Sequence, residues 1–321
     1  MKKLVVSVVA AAIFSATSAL AADLKAITKA PPAAPSSPWD IAFGGALMSD
    51  YNFRGISQSD RGASGTVYVE TRYNANPNLQ FYYGSQYWAV ALPTGPSCEC
   101  DLYGGVRPTI GALAFDFGFI YYWYPREKGH SADPLALFPP FPNTNVTYRD
   151  TDYWEAYGKV SWDVMKDKFA VGANFYYSPD WLKTGAYGAY GSVTAKLTLP
   201  SFKLNAGLID EVGWYVSGEL GHYWLGTTDI DPFVWTFAAN LPDYTTWNIG
   251  VAFTWKVFTF DLRYYDTDLS KENCNVLTGD PRAVAGGAPS INNPAGLRSR
   301  LCSSAVIAAL KFDLTAATNL K

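Results

Sequence analysis

The residues best suited to chemistry are charged side chains at alternate positions within short apolar segments. Glu155 and Lys159 alternate with apolar residues in one segment, as do Asp261 and Arg263 in another. Side chains at even spacing on a β-strand share one face, so these charges point to the same side of a sheet. Two interpretations are open: fixed charges that line a water-filled passage and select solutes, or ion pairs that fill a closed interior.

The same two-residue spacing on other strands predicts a larger set of lumen-lining residues. The set is Glu70, Arg72, Asp101, Arg107, Asp116, Glu155, Lys159, Lys196, Glu219, Asp261 and Arg263. Acidic and basic residues are nearly balanced, so the set predicts no preference for cations or anions.

A hydrolytic centre is the main alternative chemistry, since some barrels of this size hydrolyse lipids. A Ser–His nucleophile needs both side chains within hydrogen-bond reach. His222, however, lies on the strand face opposite Ser217 and Glu219, and the chain contains no Gly-x-Ser-x-Gly motif. The sequence therefore predicts no enzyme, no catalytic residues and no cofactor.

Cysteines are the remaining reactive residues. Cys274 and Cys302 bracket one long polar segment, where a disulfide would close the loop, while Cys98 and Cys100 form a C-x-C pair. An exported protein meets an oxidising compartment, which favours disulfides over free thiols. With only two histidines in the chain, a metal site is the weaker interpretation. Spacing alone leaves the pairing open.

The elements that position the charges are recurrent segments with period-two alternation. Segments 153–162 and 246–255 each carry a Trp at both ends of one face. Eight residues of tilted strand span roughly 20 Å, close to the ~25 Å apolar band of an outer-membrane barrel with its aromatic girdles. The predicted girdle consists of Trp123, Trp154, Trp162, Trp247 and Trp255.

The alternation predicts an all-β fold, a single antiparallel up-and-down transmembrane barrel of about twelve strands. We place them at 39–54, 64–73, 79–91, 99–109, 112–124, 151–162, 168–178, 187–199, 212–225, 244–256, 258–267 and 302–313. Segment 200–212 is too long for a turn. It extends its neighbours, forms a small hairpin, or adds two strands to give fourteen.

Connection lengths support this topology. Short links at 74–78, 110–111, 163–167 and 256–257 alternate with longer ones at 56–63, 92–98, 125–150, 178–186, 226–243 and 267–301. Such barrels have short periplasmic turns and long extracellular loops. The lipid-facing positions predicted on four strands bear no charge; they are Phe115, Phe117, Phe119, Tyr121, Trp123, Phe169, Val171, Phe175, Tyr177, Phe258, Phe260, Leu262, Tyr264, Val306, Ala308, Leu310 and Phe312.

The chain ends and the composition fit an exported membrane protein. Residues 1–21 have a basic start, a short apolar run and a small-x-small cleavage site, typical of a signal peptide. A Pro/Ala-rich periplasmic leader (22–38), the barrel (39–313) and a C-terminal tail (314–321) follow. Aromatic residues make up 16% and charged residues 17% of the chain, with a net charge of −3. The small net charge and the lack of a basic cluster argue against nucleic acid as a partner.

Two loop features remain open. The connection 125–150 is rich in Pro and Phe, so it either folds inward as a constriction, contacts lipopolysaccharide or a neighbouring subunit, or stays exposed. Arg54 either lines the outer rim of the barrel or pairs with Asp50 or Asp60 at a strand end; we favour the pairing.

The segment from Ser49 to Asp60 (SDYNFRGISQSD) resembles the opening signature of the TorF family of proteobacterial outer-membrane proteins, to which channel activity is ascribed. Segments 243–250 and 260–269 are similar to the late hairpin of that family. The resemblance implies an outer-membrane barrel with porin-like activity and no catalytic residues. The chain departs from the usual pattern because Asp313 and a tail follow Phe312, the expected terminal aromatic residue.

Together these features predict a porin-like channel in the bacterial outer membrane for small hydrophilic solutes or ions. The alternative is a closed structural or adhesive barrel, and a lipid hydrolase is a distant third. Expected partners are outer-membrane lipid, lipopolysaccharide and the barrel-assembly machinery. A homo-oligomer stays open, since no patch of sequence identifies a subunit interface.

Overall fold

The computed structural model describes residues 37–128, 150–204, 209–229 and 238–319, and shows a closed antiparallel barrel of twelve strands. In chain order the strands are β1 (Trp39–Met48), β2 (Asn52–Phe53), β3 (Ile56–Ser57), β4 (Ser64–Asn76), β5 (Leu79–Trp88), β6 (Glu99–Ile110), β7 (Leu113–Trp123), β8 (Tyr153–Met165), β9 (Phe169–Ser178), β10 (Gly188–Leu204), β11 (Ile209–Leu225), β12 (Tyr244–Trp255), β13 (Phe258–Thr267) and β14 (Ala305–Thr315). All but β2 and β3 pair in sequence order, and β1 closes the barrel against β14. The predicted twelve-stranded fold is confirmed.

For segment 200–212 the structure shows the first of the three alternatives, extension of its neighbours, and one predicted strand boundary is wrong. The fourteen-strand alternative fails because segment 200–212 lengthens β10 and β11, which stay paired as far as Leu204 and Ile209. The first strand ends at Met48 rather than residue 54. Arg54 and Gly55 adopt left-handed backbone angles, with φ of 48° and 89°, which turn the chain back into the short hairpin β2–β3.

The two ends of the barrel differ in their connections. Short turns join β4 to β5, β6 to β7, β8 to β9 and β12 to β13, and the β10–β11 connection lies at this same end. Both termini of the described barrel also lie here, where the Ala317 amide donates a hydrogen bond to Asp40 at 2.9 Å. Every long connection emerges at the opposite end. One of them contains helix α1 (Lys271–Thr278), and helix α2 (Ala316–Asn319) follows β14.

The exterior of the barrel is apolar and exposed. Val193, Ile249 and Leu310 are each more than half exposed near the middle of their strands. The positions predicted to face lipid are likewise exposed or half-buried, while Asp116, Asp261, Arg263 and Lys311 on the same strands are buried. This distribution is that of an outer-membrane-type barrel, apolar outside and polar within. Within the part of the chain that the structure describes, no helix is long and apolar enough to cross a membrane.

Some predicted segments fall outside the described residues. They are the signal peptide, the leader up to residue 36, and residues 129–149 of the Pro-rich connection. At the other end, Leu314 and Thr315 belong to β14 rather than to a separate tail, and residues 320–321 lie outside the described chain.

Candidate functional site

The candidate site is the interior of the barrel. Of the eleven charged residues predicted to line it, ten are buried and Lys159 is partly exposed. A buried charge requires a partner, because desolvation without compensation costs several kcal/mol. Six of the eleven belong to two networks on opposite walls, and a hairpin crosses the lumen.

The first network lies on β4 to β7 and is centred on Arg107. Its guanidinium donates to both Glu70 carboxylate oxygens, at 2.8 and 3.0 Å, and through Nε to Asp116 at 3.3 Å. The Arg72 Nε also donates to Glu70. The Tyr82 ring lies under Arg107, with the guanidinium carbon 3.5 Å from its centroid. This wall is an interlocked set of ion pairs.

The second network lies on β11 to β14 and is centred on Arg263. Its guanidinium donates to Asp261 at 2.9 Å, to the Ser217 hydroxyl at 2.8 Å and to the Asn248 side-chain oxygen at 2.8 Å. The Lys311 ammonium lies 3.9 Å from the same aspartate. Sequence reasoning did not select Lys311, although it shares the parity of the inward face of β14.

The two predicted lumen lysines pack against tyrosines. The Lys196 ammonium lies 3.8 Å from the centroid of Tyr215, and that of Lys159 lies 4.5 Å from Tyr157. Inward tyrosines were missed as a class. The sequence does indicate them, because they lie on the same strand face as the charges: Tyr153 and Tyr157 flank Glu155 at two-residue spacing.

The β2–β3 hairpin crosses the lumen. It belongs to the connection between β1 and β4, which are neighbours in the barrel wall. Its tip, at Arg54, reaches side chains on β8 to β11, which lie on the far side of the ring of strands. The hairpin therefore fills the barrel near the end with the long loops.

Arg54 docks the hairpin onto the far wall. Its Nη1 and Nη2 atoms donate to the two carboxylate oxygens of Glu155 at 2.6 and 2.7 Å. Three wall tyrosines surround the guanidinium carbon: Tyr190 at 4.5 Å, Tyr176 at 4.8 Å and Tyr223 at 4.9 Å to their centroids. The predicted pairing of Arg54 with Asp50 or Asp60 is wrong, because the left-handed turn carries the side chain away from both.

The base of the hairpin is also anchored. Tyr51 stacks on Trp88 with 4.1 Å between ring centroids, and its hydroxyl donates to Glu99. The Trp88 ring nitrogen donates to Asp101 at 3.2 Å, which connects this predicted lumen residue to the stack.

Asp50 organises the loop that carries the hairpin. Its carboxylate accepts hydrogen bonds from Ser57 at 2.6 Å and Ser59 at 2.9 Å. Burial raises the pKa of the Asp50 carboxyl, against the smaller opposing effects of these two hydroxyls.

The long connection before β14 covers the hairpin from outside. The Leu301 carbonyl accepts from the Ser57 amide at 2.9 Å, and Arg61 donates to the Arg300 carbonyl. A disulfide between Cys274 and Cys302 joins α1 to the residues that precede β14, and a second disulfide links Cys98 to Cys100. The hairpin is thus held between the far wall and a cross-linked outer loop.

The predicted tryptophan girdle divides between the two ends of the barrel. Trp123, Trp154 and Trp247 lie towards the long loops, and Trp162 and Trp255 lie towards the short turns. All five are exposed or half-buried on the exterior face.

One described histidine and one acidic cluster are further candidates for catalytic or metal chemistry. His222 packs against Trp224, and its Nδ1 lies 2.9 Å from the Thr245 hydroxyl, while the second histidine, His130, lies outside the described chain. Glu127, Asp150 and Asp152 form an acidic cluster in the outer loops. Each carboxylate already has a protein partner: Thr151, Lys183 and the Tyr124 amide, respectively.

Two small cavities adjoin the hairpin. Each has a volume of about 10 Å³, room for roughly one water molecule. Asn52 lines both, and its side-chain nitrogen is buried without a hydrogen-bond partner among the described residues. One cavity is lined mainly by polar side chains, among them Glu219 and Asn248, whereas the other also contacts Met48, Ile307 and Ala309.

Comparisons with known proteins identify the family. Residues 32–285 match the family described as bacterial protein of unknown function (Gcw_chp), and the chain belongs to that family. No curated protein sequence matches the chain. The resemblance to TorF porins stays a prediction.

Similar solved structures are outer-membrane proteins. The chain is 10% identical to an outer membrane channel from Pseudomonas putida F1, with a TM-score of 0.39 over 89% of this chain and 100% of that one. It is 10% identical to OmpT, an outer-membrane-expressed protein of Vibrio cholerae, with a TM-score of 0.36 over 86% and 97% of the two chains. These likenesses are too low to carry a functional argument.

Proposed function

We propose that the protein is an outer-membrane channel for small hydrophilic solutes or ions, and that the β2–β3 hairpin closes it in the conformation described above. One observation carries this proposal. The lumen has charged networks on two opposite walls, and the hairpin that crosses it is part of a loop and of neither wall. Arg54 at the tip of the hairpin docks on the far wall through its ion pair with Glu155.

The polarity of the lumen supports a hydrated path. A barrel that only needed filling could use apolar side chains, which often stabilise a protein as well as buried ion pairs do. Here the walls carry Glu70, Arg107, Asp261 and Arg263, each engaged with partners on its own wall. Displacement of the hairpin would leave both networks satisfied and expose them to water.

A closed structural or adhesive barrel is the second candidate. The near-complete burial of the lumen charges favours it, because an ion-paired interior can be a permanent core. The two candidates predict different currents once the hairpin is loosened.

The test is conductance of the purified, folded protein in planar bilayers. Residues 52–57 would be replaced by a Gly/Ser segment of equal length, which keeps both Tyr51 and the chain length. The matched control replaces residues 284–289, which lie in the outer loop before β14. We expect rare brief openings for the wild type and the control, and frequent discrete steps for the hairpin replacement. If the folded hairpin replacement is silent, the barrel is closed and the second candidate stands.

A further inference from the structure

The pocket that holds Arg54 has the composition of a recognition site for a cation. Its carboxylate and three of its aromatic rings come from four consecutive strands: Glu155 on β8, Tyr176 on β9, Tyr190 on β10 and Tyr223 on β11. Phe53, with its ring centroid 4.6 Å from the guanidinium carbon, is the one aromatic contact contributed by the hairpin. Most of the pocket therefore belongs to the barrel wall and does not depend on the hairpin.

The wall holds the pocket in place without Arg54. The Tyr122 hydroxyl donates to Glu155 Oε2 at 2.9 Å, which fixes the carboxylate from the side of β7. Tyr190 and Tyr223 pack edge to face, with 5.7 Å between their centroids, and Tyr190 donates to Glu219 at 3.1 Å. A pocket held by such contacts is pre-organised, which lowers the cost of binding.

The geometry is selective for a planar cation. Two parallel hydrogen bonds to one carboxylate match the fork of a guanidinium, whereas an ammonium group binds as a point charge. Aromatic faces around a desolvated cation add attraction. Once Arg54 leaves, Glu155 is a buried carboxylate without its cationic partner, so the pocket favours the entry of another cation.

We propose that Glu155, Tyr176, Tyr190 and Tyr223 form a binding site for solutes that carry a guanidinium group, and that Arg54 occupies this site as a tethered competitor. This inference rests on the proposed channel function and gives it a class of solute. A guanidinium solute that enters from the long-loop end displaces Arg54 and frees the hairpin from the far wall. The tether gives Arg54 a high effective concentration, so the wild-type protein binds such solutes weakly.

The first test is calorimetric titration of the purified, folded full-length protein with arginine. Citrulline, which has a neutral urea in place of the guanidinium, and lysine, which has an ammonium, are the matched probes. We expect Arg54→Ala to bind arginine at least tenfold more tightly than it binds either probe, and at least tenfold more tightly than the wild type does. The double variant Arg54→Ala/Glu155→Gln, which removes both charges, is expected to lose this preference.

Two results would overturn the inference: equal affinity of Arg54→Ala for arginine and citrulline, or equal affinity of wild type and Arg54→Ala for arginine. Arg54→Gln, which keeps more of the packing around the hairpin, provides a second emptied pocket if Arg54→Ala does not fold. Folding is checked by heat-dependent gel mobility.

A current measurement separates this inference from the channel proposal. If Arg54→Ala conducts and arginine does not block the current more than citrulline does, the binding site is wrong and the channel stands. If Arg54→Ala binds arginine selectively but never conducts, the site stands and the channel is wrong.

Discussion

Arg54 and Glu155 lie 101 positions apart in the chain, yet their guanidinium and carboxylate form a paired hydrogen bond at 2.6 and 2.7 Å across the lumen. Arg54 comes from the hairpin that follows β1, and Glu155 from β8 on the opposite wall. This ion pair makes the hairpin a bridge across the barrel.

Glu155→Gln is expected to destabilise the protein by about 3–5 kcal/mol, because it leaves the Arg54 charge buried without its partner. Arg54→Ala/Glu155→Gln removes both charges and should recover part of the loss. Urea unfolding in detergent of the wild type, the two single variants and the double variant measures the coupling free energy between Arg54 and Glu155. Strict additivity of the two single effects would show that the pair is not coupled.

Gly55→Ala is expected to displace the hairpin. Gly55 has a φ of 89°, and a Cβ atom there would lie 2.6 Å from the Thr246 hydroxyl oxygen. Gly95→Ala is the control, because Gly95 has a φ of 60° but no atom within 4 Å of the added Cβ. The control should cost only about 1 kcal/mol of backbone strain. Gly55→Ala should lower stability further and raise the frequency of channel opening. Equal effects of the two substitutions on unfolding and current would count against a tightly seated hairpin.

The exterior gives a prediction about the membrane. Ile249 on β12 and Ile291 in the outer loop are similarly exposed, at 58% and 69%. Ile249→Arg should cost ~2–4 kcal/mol in a bilayer, because it places a charge in the apolar band. Ile291→Arg should have almost no effect on stability. The free energy of unfolding in lipid vesicles measures both effects. Equal losses for the two variants would argue against a lipid-facing exterior.

The loop that carries the hairpin should respond to pH through Asp50. Burial raises the pKa of this carboxyl above its ordinary 3.8, so the folded protein holds the proton more tightly than the unfolded chain does. The free energy of unfolding is therefore highest below the ordinary pKa, and this contribution is lost as pH rises through the raised pKa. Asp50→Asn should flatten the dependence, whereas Asp60→Asn, at a less buried carboxyl, should keep it. The measurement is the free energy of unfolding by denaturant between pH 3 and 7. If this free energy changes with pH in Asp50→Asn as steeply as in the wild type, the prediction is wrong.

Strand number and face orientation were predictable from local sequence. Alternation placed Trp154 outside and Glu155 inside, and charge-free faces fixed the register of β7 and β13, because a one-residue slip would put charges into lipid. Alternation along a strand tells whether a side chain points outward or into the lumen, but it does not tell which residue that side chain contacts across the lumen. The pairing of Arg54 with Glu155 was therefore beyond it.

The end of β1 shows where the pattern misleads. From Asp50 to Arg54, polar residues alternate with Tyr51 and Phe53, so the pattern still predicts a strand. The left-handed angles at Arg54 and Gly55, and the Asn52 side chain that accepts from the Gly55 amide at 2.9 Å, instead build a turn. An Asn three residues before a Gly was the available turn signal.

The most direct measurement of the central claim is the single-channel current of Arg54→Ala beside that of the wild type in planar bilayers. If the hairpin closes a channel and Arg54 docks it, folded Arg54→Ala shows discrete openings far more often than the wild type under the same voltage and salt. Folded Arg54→Ala that stays as silent as the wild type would contradict the account and favour a permanently closed barrel.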